Sequence, residues 1–143
     1  MNAEKNLFPE RGAIIRVNLN PTQGREQMGE ARPCLVLSHT AFNQARNGLV
    51  IISPITNTIK PEIQTLIPIP DGYKTTGSVI AEQIRTVDLS GRWWKNTGEV
   101  LSDSFVDKVV GILRVIIDLK KAAHTPQLAA IGISSPPTAR SAI

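Results

Sequence analysis

The chain is short of the groups that most enzymes of its size rely on. It has one cysteine, Cys34, so no intrachain disulfide can staple it. In the run Cys34-Leu35-Val36-Leu37 that thiol reads as a small buried hydrophobe rather than a nucleophile. The two histidines, His39 and His124, are far apart, and no carboxylates cluster at ligand spacing. A bound metal therefore has no evident home, and no cofactor is expected. No stretch approaches the roughly 20 apolar residues of a membrane helix. The opening Met1-Asn2-Ala3-Glu4-Lys5-Asn6 has neither the basic nor the apolar region of a secretory leader. The expectation is a cytoplasmic protein with no membrane partner.

What is present fits one small domain. With 143 residues, 41% of them hydrophobic, the chain can bury a single core and is too short to divide comfortably into two. We read a polar leader over 1–10, one domain over 10–122, and a Ser/Pro-rich tail over 123–143 that is expected to be flexible. The net charge of +4 suits a polyanionic partner.

Periodicity assigns the elements. Residues 13–19 alternate at Ile15, Val17 and Leu19 and predict a half-buried strand. Residues 25–32 form a polar loop, which leaves Arg32 facing solvent ahead of Pro33 and a strand over 34–38. A short connection precedes an apolar strand, 49–55, with Pro54 at its end. Residues 62–69, with Pro68, read as an edge strand. A longer strand runs from 76 to 88, and 90–98 reads as a loop whose two tryptophans anchor packing. From a cap at Ser102 or Ser104, the residues Phe105, Val109, Ile112, Leu113, Ile116 and Leu119 follow the helical period to 121. The fold class is α+β, mainly β: a compact twisted barrel with one amphipathic helix against it.

Three ordered motifs carry a resemblance. Asn20-Pro21-Thr22-Gln23-Gly24-Arg25-Glu26-Gln27-Met28-Gly29 leads into Arg32-Pro33 and an apolar strand. Ser53-Pro54-Ile55-Thr56 ends the next strand, and Glu82-Gln83-Ile84-Arg85-Thr86-Val87-Asp88 follows in order. Together they closely resemble the signature of the MazF/PemK/Kid toxins over about residues 10 to 120. The resemblance implies a homodimeric, SH3-like (CcdB/PemK-like) barrel that cuts single-stranded RNA. It further implies restraint by a cognate antitoxin whose disordered acidic segment fills the RNA groove. Carried over by motif, Arg32 and Thr56 match the family's catalytic pair, and Arg85 and Asp88 fall in the motif that supplies a further arginine and a carboxylate. Ala31 and Arg25 stand where some members place a histidine.

RNA brings its own nucleophile, the 2′-OH. The protein must remove that proton, stabilise charge on the phosphorane and protonate the leaving 5′-oxygen. Arginine suits the middle task, because its planar fork grips two phosphate oxygens and stays charged. Arg32 is the first choice, Thr56 a hydroxyl donor to the same phosphate, and Arg85 a second clamp. Glu26 and Asp88 are the candidate bases. Arg25, Glu26, Gln27, Asn57, Lys60 and Gln83 are the candidates for reading splayed bases. Two other classes stay open, since fold does not fix function: a CcdB-like toxin that poisons DNA gyrase through its C-terminal helix, and a non-catalytic RNA-binding barrel.

Overall fold

Alternation along the first strand separates two cores. In β1 (Ala13–Asn18), Ile14 enters one apolar cluster, while Ala13, Ile15 and Val17 enter another on the opposite face. β2 (Ala31–Val36) divides in the same way, sending Leu35 to the first cluster and Cys34 and Val36 to the second. The structure is a computed structural model and describes residues 7–20 and 31–118. The expected tail over 123–143, most of the leader, and the loop residues Arg25, Glu26 and Gln27 lie outside the described residues.

The remaining elements are α1 (Thr40–Ala45), β3 (Leu49–Thr56), β4 (Leu66–Pro68), β5 (Ser78–Ile80), β6 (Arg85–Asp88), β7 (Trp94–Val100) and α2 (Asp103–Ile117). The described strands pair antiparallel in the order β4-β5-β3-β2-β1-β7, with β6 also on β3. The α+β, mainly β class holds, and among the described strands the ladder does not close into a ring. None of the described helices is long and apolar enough to cross a membrane.

β3 is longer than its proline suggested. It runs through Pro54 to Thr56, pairing its start with β6 (Ile52 opposite Arg85) and its end with β5 (Ile55 opposite Val79). The residue without an N–H falls at this changeover of partners, where a missing donor is tolerated best. The strand expected over 76–88 must therefore break. Ala81–Gln83 form a 3-10 turn that carries the chain from one end of β3 to the other. Three other expectations need correcting. β2 begins at Ala31, so Arg32 is an exposed strand residue rather than part of a loop. Residues 94–100 pair with β1 instead of looping, although Trp94 does pack on the second cluster. The connection after β2 contains a one-turn helix capped by His39, whose Nδ1 accepts from the Ala41 N–H.

α2 starts at Asp103, so of the two candidate caps the structure takes Ser102. The Ser102 hydroxyl accepts from the Phe105 N–H at 3.2 Å, an N-cap. Phe105, Val106, Val109 and Leu113 are buried in the first cluster. Arg11 reaches Asp103 and Asp107 at 2.7 Å each, but those carboxylates are 84% and 72% exposed. Such pairs orient the helix and add little. Each of the buried apolar side chains contributes about 1.5–3 kcal/mol, so packing holds α2 in place.

Candidate functional site at the end of the sheet

Register brings the candidate residues together. β2 pairs with β3 from Val36 and Ile52 to Cys34 and Pro54, and Arg32 and Thr56 lie two residues beyond that last pair, toward the same end of the ladder. Arg85 lies opposite Ile52 on the far side of β3. Strand alternation puts Arg32, Cys34, Ile52, Thr56 and Arg85 on one face, the face of the second cluster. The thiol of Cys34 feels the charge of both guanidiniums. Burial pushes it up to about 12, against the opposing pull of the Arg32, Arg85 and Arg16 guanidiniums. A thiol so placed stays protonated and chemically quiet.

Thr56 opens into a hollow of about 290 Å³ that it shares with Thr58, Lys60, Thr65, Glu82 and Gln83. Its Oγ1 accepts from the Thr58 N–H at 3.2 Å, which orients the hydroxyl. Gly77 packs against the Thr56 carbonyl so closely that a Cβ there would collide with it, and Gly77 has φ of 113°, which favours glycine. Three of the expected residues, Thr56, Lys60 and Gln83, thus meet in one place. Asn57, the next residue along, lines a different hollow with Arg16 and Lys74.

Asp88 sits apart from this group. It alternates to the opposite side of β6 from Arg85, and it caps the turn Leu89–Gly91, accepting from the Ser90 N–H at 3.0 Å and the Ser90 hydroxyl at 2.6 Å. Those hydrogen bonds, helped by Arg92, hold its carboxyl below the ordinary range despite full exposure. Sequence reasoning passed over Glu82, the carboxylate that does share the hollow with Thr56. It stands next to Gln83 in a motif already singled out, so the signal was available. Arg92 was also missed. Its Nη1 donates to the Asn18 carbonyl at 2.9 Å, and burial together with the Arg85 charge lowers its pKa. Only the fold, which returns β7 beside β1, could have shown that it belongs here. Among the described residues, no three His, Cys, Asp or Glu side chains converge as a metal site would require.

An open antiparallel sheet on one C-terminal helix, with Arg32, Thr56 and Arg85 on one face of its strands, defines a small β-rich protein whose guanidiniums have the chemistry to hold a phosphate. Comparison narrows the class. Residues 10–117 match the family model described as PemK-like, MazF-like toxin of type II toxin-antitoxin system, and the chain belongs to that family. It is 33% identical over 112 residues to the endoribonuclease toxin ChpB of Escherichia coli (strain K12), covering 76% of this chain and 94% of that one. It is 34% identical over 111 residues to the endoribonuclease PemK of Escherichia coli, covering 76% and 81%. A crystal structure of MazE-MazF from Deinococcus radiodurans superposes with a TM-score of 0.62 at 25% identity, over 77% of this chain and 95% of that one.

Proposed function

We propose that this chain is the toxin of a type II toxin–antitoxin pair: an endoribonuclease that cuts single-stranded RNA at preferred sequences, needs no metal ion, and stops growth by destroying messages in the cytoplasm. The observation that carries this reading is the common face of Arg32, Thr56 and Arg85 on β2, β3 and β6. It is supported by the endoribonuclease relatives of known name.

In this reading the scissile phosphate lies between Arg32 and Thr56. The guanidinium and hydroxyl hold its non-bridging oxygens so that the neighbouring 2′-OH attacks in line. The P–O5′ bond breaks as the P–O2′ bond forms, leaving a 2′,3′-cyclic phosphate and a 5′-hydroxyl. Arg85 adds charge as the phosphorane develops and gives the departing 5′-oxygen its proton, taking one back from solvent. Glu82 is the carboxylate placed to take the 2′-OH proton, since Asp88 is engaged by Ser90. Lys60 and Gln83 contact the bases around the cut, with Arg25, Glu26 and Gln27 assigned to the same task from the sequence. The partners are single-stranded RNA, a second copy of the chain, and a cognate antitoxin with an acidic segment. The solved MazE-MazF structure from Deinococcus radiodurans, in which a chain similar to this one is paired with a second protein, supports the last of these.

The experiment is to incubate the purified chain with a long single-stranded RNA in excess EDTA and to sequence the fragment 5′ ends. Discrete cuts bearing 5′-hydroxyls, absent with Arg32→Ala, are expected. Cleavage that needs an added divalent ion, or that survives Arg32→Ala at more than half the parental rate, overturns the proposal.

A further inference from the structure

Thr56 and Asn57 are consecutive, yet they open to different hollows on opposite faces of the sheet. The Asn57 hollow is about 370 Å³, within the size range of ligand pockets and larger than the Thr56 one. Arg16 and Lys74 line it, and Lys95 lies opposite Arg16 across the β1–β7 ladder. Among the described residues the ion pairs are those of Arg11, so Arg16 holds no salt bridge to a carboxylate there, while the Lys74 ammonium feels the charge of Glu99. The wall does contain Glu99, but its oxygens are taken up by the Lys74 N–H (2.6 Å), the Thr75 N–H (3.0 Å) and the Thr75 hydroxyl (2.7 Å). Those donors hold Glu99 below the usual carboxylate range and pin the 74–75 loop at the mouth of the hollow. Arg16 also donates from Nη2 to the Ala31 carbonyl at 3.1 Å, one residue before Arg32.

We propose that the Arg16–Lys74 hollow is a second RNA-binding site that takes a nucleotide and its phosphodiester on one side of the cleaved linkage. The inference rests on the nuclease reading above. A strand whose scissile phosphate lies at Thr56 passes over the end of β3 and meets this hollow next, through Asn57. Two cations suit a phosphodiester, and the Thr76 hydroxyl suits a ribose or a base edge, those of Thr75 and Thr97 being given to Glu99 and the Ile14 carbonyl. Neither cation touches the reacting atoms, so the site binds substrate without taking part in the chemistry.

The test uses the full chain and the RNA motif found by fragment sequencing, as a long RNA and as two oligomers truncated beside the cut on the 5′ or the 3′ side. Arg16→Ala and Lys74→Ala should each raise KM on the long RNA about ten-fold or more while kcat stays within about two-fold. Each should flatten the salt dependence of binding by about 0.7 in the log–log slope, one released counterion's worth for a single strand. The penalty should vanish on one truncated oligomer and persist on the other, and Arg16→Lys should restore much of the loss. Equal losses of kcat on all three substrates would mean that Arg16 merely positions Arg32, and would overturn the proposal. So would an unchanged KM, or an effect confined to antitoxin binding. Affinity for the same RNA with a 2′-deoxy block at the cut is measured in parallel. Its loss in the variants supports the second site even if the wild type fails to cleave, in which case the nuclease reading falls separately.

Discussion

Gly77 lies flat against the carbonyl of Thr56, leaving no room for a side chain between β5 and the end of β3. The hydroxyl expected to hold the phosphate is thus set from behind by backbone alone. Gly77→Ala should displace Thr56 and cost both stability and cleavage. Gly72→Ala is the control. Its φ of 104° is equally unusual, but nothing lies within 4 Å. It should cost about 1–2 kcal/mol of backbone strain and leave kcat as it was. Thermal melts with initial rates separate the two, and equal rates in both variants would remove the positioning role of Gly77.

Arg32 is exposed on a strand whose core contacts come from its neighbours Cys34 and Leu35. Arg32→Ala should therefore lower kcat by about 100-fold or more, the usual cost of losing one preorganised donor, with little change in Tm. Thr56→Val should lower it less, since a neutral hydroxyl holds a phosphate more weakly than a guanidinium. Rates under single-turnover conditions check the order.

Glu82 and Asp88 should respond oppositely to loss of their charge. Glu82→Gln is expected to slow cleavage and leave the melting curve alone. Asp88→Ala is expected to lower Tm and leave the rate nearly intact, because Ser90 loses its cap acceptor. The Asp88 carboxyl is held below its unfolded value. Its stabilisation is thus complete above the ordinary aspartate range and is lost as pH falls through the lowered value. An acid melt of the wild type should show that loss, and one of Asp88→Ala should lack it. The reverse assignment of rate and stability would return the catalytic carboxylate to Asp88.

The Cys34 thiol is raised from 9.0 to about 12 in the folded chain. Below pH 9 both states keep the proton and the thiol adds no pH dependence. Between about 9 and 12 the unfolded state loses its proton first, so stability should fall as pH rises through that window. Cys34→Ala should flatten the decline. Iodoacetamide at pH 8 should label the native chain far more slowly than the denatured one.

The helix and the first strand were legible because their faces are one-sided: Phe105, Val109 and Leu113 recur at helical spacing, and Ile15 and Val17 alternate. β7 was not. Its residues are largely exposed, so Lys95-Asn96-Thr97-Gly98 carries no apolar period, and its strand character comes from hydrogen bonds to β1 that only the fold supplies. The site was half legible for a similar reason. Motifs pointed to Arg32, Thr56 and Arg85, and the register put them on one face of the sheet. The separation of Arg85 from Asp88 follows from the short strand after the 81–83 turn, where three residues of spacing place side chains on opposite faces. No local pattern announces such a break, because it answers to the length of β3.

β4 has three residues and ends on Pro68. A strand so brief, closed by a residue that cannot donate, is a poor template for a foreign chain. That border of the molecule resists edge-to-edge stacking between copies.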